Sequence, residues 1–83
     1  MTEQQAEEKI KKVVEAVLKK MCPQGGYDIG NCYRSGDGIP RLYIDYSLPE
    51  PIRKGLIAFT SEQLSDRSNR ELERMVQGQI ESS

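Results

Sequence analysis

The chain contains no histidine, so imidazole acid–base chemistry is excluded. The thiols and the opposed carboxylates are the groups whose placement bears on chemistry. Cys22 stands in Met21-Cys22-Pro23-Gln24. A helix should end there, and the negative end of a helix raises a thiol pKa rather than lowering it. Lys19 and Lys20 act against that effect. Cys32 comes near Arg34 and Arg41 in the hairpin register derived below, which favours a thiolate, but no general base accompanies it. Both thiols are therefore read as structural, and a cysteine-dependent enzyme is the weakest reading. Asp28 and Asp45 face one another in the same register, and opposed carboxylates can split their pKa values. An open ribbon offers no pocket to keep water from them, so they are read as solvated acids. Two cysteines without histidine do not complete a structural zinc site. Asp37 lacks the further oxygen ligands of a calcium loop. Gly36 and Gly38 join two strands, with no helix N-terminus behind them to hold phosphate. No catalytic residue, metal or cofactor is expected.

Binding is the remaining class. Arg34, Arg41 and Tyr43 fall on the outer face of the expected hairpin, and Tyr and Arg are enriched where interfaces concentrate their energy. These three are the candidate binding residues. The rival reading for Tyr43 is that its ring merely covers Gly30 across the strand pair. A nucleic-acid module is the alternative function, using the same face with Lys9, Lys11, Lys12, Lys19 and Lys20. That lysine set is interleaved with glutamates at i,i+4 spacing, the pattern of a solvated helix face. The net charge of −1 supplies no bulk attraction to a polyanion or an anionic membrane.

The elements that would position these residues centre on 27–47, YDIGNCYRSGDGIPRLYIDYS. Two alternating runs flank Ser35-Gly36-Asp37-Gly38, a tight-turn composition. A two-residue loop at Gly36-Asp37 sets Ile29 opposite Ile44 and Tyr27 opposite Tyr46. Tyr27, Ile29, Leu42, Ile44 and Tyr46 then share one face, and Asp28, Gly30, Cys32, Arg34, Arg41, Tyr43 and Asp45 the other. Asn31 falls on the apolar face in this register, and a bulge near Gly30-Asn31 would relieve it. Pro40 limits pairing beside the turn.

Before the hairpin, residues 3–21 read as a helix. Thr2 and Gln5 have capping-box spacing, and Ala6, Ile10, Val13, Val14, Val17, Leu18 and Met21 form one stripe. Pro23 and Gly25-Gly26 end it. After the hairpin, Ser47 and Glu50 have capping spacing, with Pro49 and Pro51 in the first turn that would follow. Ile52, Leu56 and Phe59 recur at helical spacing, so a helix over 50–65 is expected. Its rival is a third strand over 55–60, with Thr60 and Gln63 capping a helix from about Ser61. Ser68 and Glu71 open a last helix over 69–80, which buries Leu72, Met75, Val76 and Ile80. Gly78 weakens its end, so 79–83 should fray.

The expected fold is a small single α+β domain over 1–83, in the order α-β-β-α-α, with α-β-β-β-α as the alternative. The alternative order is similar to that of double-stranded-RNA-binding domains. The likeness stops there, because the last helix opens on acidic and neutral residues instead of a lysine cluster. The N-terminal segment is charged, not the apolar run of a secretory signal. No run is long enough for a membrane span, and free thiols suit a reducing cytoplasm. These readings point to a small cytoplasmic protein-interaction or regulatory domain without catalysis. Its partner would be another protein or, through the open sheet edge, a second copy in a homodimer.

Overall fold

The structure is a computed structural model and describes residues 2–34, 41–49 and 52–82. The element order is helix α1 (Glu3–Met21), strands β1 (Asp28–Arg34), β2 (Arg41–Pro49) and β3 (Ile52–Thr60), then helices α2 (Ser61–Asp66) and α3 (Asn69–Glu81). The strands form one antiparallel sheet in the order β1-β2-β3. This is an α+β fold with the third strand of the alternative order.

α1 forms where its capping residues and apolar stripe place it. The Thr2 backbone N–H donates to Gln5 Oε1 at 2.9 Å, and the Gln5 N–H donates to Thr2 Oγ1 at 3.2 Å. Ala6, Ile10, Val13, Val14, Val17 and Leu18 are buried, and Met21 packs against the same core. The connection to β1 passes through Gly25 and Gly26 at φ +85° and +88°, a left-handed conformation that glycine adopts without side-chain strain. The Cys22 thiol donates to the Gly25 carbonyl at 3.0 Å and braces that bend.

The expected helix over 50–65 is replaced by β3, followed by α2. Ser47 lies inside β2, and Glu50 and Pro51 lie outside the described residues. The second capping pair is the one the chain uses. Thr60 and Gln63 bond reciprocally, each at 3.0 Å, and open α2 at Ser61. Gly55 in mid-segment costs a helix roughly 1 kcal/mol relative to Ala. Ile57, Phe59 and Thr60 suit a pleated surface. A third strand also gives β2 a neighbour on each side, which a lone hairpin lacks. Leu42, Ile44, Tyr46 and Leu48 of β2 are all buried as a result.

The hairpin register also differs. Asp28 pairs with Ser47 and Ile29 with Tyr46, then Cys32 with Ile44, Tyr33 with Tyr43 and Arg34 with Leu42. The ladder shifts between Ile29 and Cys32, which is the bulge expected at Gly30-Asn31. Ile29 opposes Tyr46 where the expected register gives Ile44, and Asp28 opposes Ser47 where it gives Asp45, both two residues away. Beyond the bulge Cys32 opposes Ile44 where that register gives Arg41, three residues away, so the bulge supplies one residue of the difference. Cys32 and Arg34 thereby change faces. The turn at 35–38 and Pro40 lie outside the described residues.

All three helices lie on one side of the sheet, and one core cluster joins them to it. Ile57, Phe59 and Leu64 meet Leu72, Val76 and Ile80 there. The Tyr46 ring covers Gly55: a Cβ at Gly55 would stand 2.9 Å from the Tyr46 hydroxyl oxygen. An aromatic over a glycine therefore does occur, but it is Tyr46 over Gly55 rather than Tyr43 over Gly30. Lys9 Nζ donates to the Leu64 carbonyl at 2.6 Å and ties α1 to the C-terminal end of α2. Lys20 and Glu73 join α1 to α3 at 3.4 Å.

α3 runs through Glu81, and Ile80 is fully buried. Gln79 also closes part of the free edge of β3. Its side-chain amide donates to the Ala58 carbonyl and accepts from the Ala58 N–H, both at 3.0 Å. Gly78 is exposed, and a Cβ there would meet nothing within 4 Å. Gly78→Ala should therefore raise the stability of the domain by about 0.5–1 kcal/mol. Urea denaturation followed by circular dichroism measures this, and an unchanged or lower midpoint would contradict an open helical site.

Candidate functional site: the open face of the sheet

Strand alternation sorts the outward side chains into rows across the sheet. Tyr33, Tyr43 and Ala58 form one row, and Asp28, Ser47 and Lys54 another. Between them lie Asp45 and Leu56, with the β1 bulge beside Asp45. A Cβ at Gly30 would come within 2.8 Å of the Asp45 Cβ, so Gly30 lets the bulge close against Asp45. Arg41 and Thr60 make the row at one end, and Pro49 and Ile52 the row at the other.

No helix covers this face. Its exposed apolar side chains are Tyr33 at 45%, Ile52 at 77% and Leu56 at 50%, and they are the only large hydrophobic residues exposed to that degree among the described residues. The Tyr33 and Tyr43 rings stack with centroids 5.9 Å apart and 22° between their planes. The Tyr33 hydroxyl donates to Asp45 Oδ1 at 3.4 Å. Partial desolvation, then the Asp45 charge and this hydrogen bond, hold the Tyr33 phenol above its usual range. The phenol therefore stays a neutral donor through physiological pH. Beside the pair an open depression of about 410 Å³ is lined by Asp28, Gly30, Asp45, Ser47, Lys54 and Leu56. Asp28, Arg41 and Lys54 have no ion-pair partner among the described residues.

The candidate binding residues separate. Arg41 and Tyr43 stand together on the open face. Arg34 pairs with Leu42, so it lies on the helix side of the sheet, near Cys32. Tyr33, Leu56 and Ile52 complete the face, and the sequence reading missed all three. The signal for Ile52 and Leu56 was present: a strand over 52–60 puts Ile52, Lys54, Leu56 and Ala58 on one side.

The groups considered for chemistry take other roles. Cys32 packs against the core. Burial first, and Glu7 second, push its thiol up, while Lys11 and Arg34 oppose that rise. The arginine therefore does not make Cys32 a thiolate at neutral pH. Asp28 and Asp45 line one depression but do not oppose one another in the ladder. No cluster of three or more His, Cys, Asp or Glu side chains suited to a metal occurs among the described residues. Of the α1 lysines, Lys9 is held by the Leu64 carbonyl of α2, and Lys20 makes an exposed ion pair with Glu73 of α3.

Compared with protein-family models, with curated proteins and with solved structures, the chain matches none. No helix among the described residues is long and apolar enough to cross a membrane.

Proposed function

We propose that this chain is a non-catalytic protein-interaction or regulatory module that binds its partner on the open face of the sheet. One observation carries the reading: Tyr33, Ile52 and Leu56, the exposed large apolar residues, all lie on the face that the helices leave bare. Burying apolar surface is worth about 25 cal/mol per Å², so such a patch gains by being covered. Arg41 and the stacked Tyr43 border it and supply the side chains that most often anchor interfaces.

The test is the double substitution Arg41→Ala and Tyr43→Ala. Arg41 is exposed and Tyr43 half-buried on the outward side, so the helix-covered core stays intact. Affinity for a protein partner should fall by at least about tenfold, the loss of one anchor residue. Calorimetric titration reads the change, and circular dichroism checks the fold. Undiminished binding by the double variant would place the contact elsewhere.

A further inference from the structure

We infer that the partner for which this face is shaped is a second copy of the same chain, packed face to face about a twofold axis that crosses the strands between the Tyr43 and Asp45 rows. This rests on the proposed binding face and names its occupant. The face carries both signs of charge, Asp28 and Asp45 with Arg41 and Lys54. The chain's net charge of −1 gives two copies little reason to repel.

A twofold interface brings the same patch together from both sides, so only a few stackings are available. With the axis along β2, each residue of that strand meets its own counterpart. Arg41 then faces Arg41 and Asp45 faces Asp45, and both contacts are repulsive. With the axis across the strands, between the rows at Tyr43 and Asp45, the rows exchange. Tyr43 comes over the partner's Asp45. Tyr33 comes over the partner's Gly30, where no side chain stands. Leu56 comes against the partner's Ala58. Tyr33 and Leu56 thus each meet a smaller residue, twice over by symmetry, while Ile52 in the end row stays outside the contact. Arg41 arrives over the middle of the partner's row at Ser47, within reach of the partner's Asp28.

The size of the contact sets its strength. Strands of nine residues, rising about 3.3 Å per residue and spaced about 4.8 Å apart, give a flat footprint of about 400 Å² per copy. Two such footprints, about 800 Å² in total, fall below the roughly 1,200–2,000 Å² of stable interfaces, so the dimer should be weak and transient, with a dissociation constant in the upper micromolar range.

Sedimentation equilibrium from about 10 µM to about 1 mM should show a monomer–dimer equilibrium with an upper-micromolar dissociation constant. Leu56→Asp should weaken it at least about tenfold with the fold retained by circular dichroism. Asp28→Arg and Arg41→Asp should each weaken it, and the two combined in one chain should restore it, because the pair is exchanged rather than lost. A native chain that stays monomeric at 1 mM overturns the dimer, and so does a dimer indifferent to Leu56→Asp. A dimer broken by Leu56→Asp but not rescued by the double charge exchange overturns the cross-strand axis. The underlying reading fails separately, when the chain dimerises but Arg41→Ala with Tyr43→Ala leaves the dimer at full strength, which places the contact off this face.

Discussion

Phe59→Ala should remove about 3–5 kcal/mol of stability, the cost of emptying a buried phenylalanine site. Phe59 is 1% exposed, pairs across the sheet with Leu42 and belongs to the single core cluster. It also stands immediately before Thr60, whose side chain opens α2. The cavity would therefore sit at the junction of sheet and helix, where collapse of one wall pulls on the other. A chain of 83 residues at roughly 0.05–0.15 kcal/mol per residue holds about 4–12 kcal/mol in all. One substitution thus takes a large share. Urea unfolding by circular dichroism should show the midpoint fall steeply with little change in slope. A loss below about 1 kcal/mol would mean that Phe59 is not packed in the core. Tyr33→Ala is the contrast: its ring is on the open face, and losing its stacking on Tyr43 should cost only about 0.5–1.5 kcal/mol.

What could be read from the sequence was whatever is decided locally. α1 depends on a long periodic stripe and on a capping pair only three residues apart, and both act within the segment itself. The same is true of α3 and of the bulge at Gly30-Asn31. The register was not legible, because the composition of the turn suggested a two-residue loop, whereas the pairing of Ile29 with Tyr46 is offset from that loop's register by two residues before the bulge adds its own. The third strand was legible only as the rival of a helix, for a related reason. Ile52, Leu56 and Phe59 satisfy helical spacing, while Gly55, Ile57 and Phe59 satisfy the alternation of a strand. The choice between them is made by β2, which needs a second neighbour, and no local rule contains that need. On the open face, Arg41 and Tyr43 follow from the alternation along β2 together with residue type. Leu56 and Ile52 were assigned to a buried helical stripe, and their exposure follows only once the segment is a strand. Arg34 was misplaced by the register.

Ile57→Asp should abolish folding, whereas Leu56→Asp, its neighbour, should leave the monomer folded. Ile57 is fully buried and pairs with Ile44, which is also fully buried. A carboxylate there has no cation or donor to receive it, and burying an unpaired charge costs far more than a hydrogen-bonded one. Even if the group takes up a proton, it gives up the burial of an isoleucine, about 1.5–3 kcal/mol, and leaves a polar group in an apolar site. Set against a total of about 4–12 kcal/mol, that sum leaves little or nothing. The expected result is loss of the cooperative transition and of near-native circular dichroism. Leu56 points the other way, half exposed beside Asp45 and Lys54. An aspartate there stays in water and touches only the face that we assign to a partner. A helix over 50–65 requires the reverse pair of outcomes, because it buries Leu56 and moves Ile57 to the edge of the stripe. The two variants together therefore read the strand directly: if Leu56→Asp unfolds the chain and Ile57→Asp does not, β3 is not a strand and the open face loses both of its apolar residues from that segment.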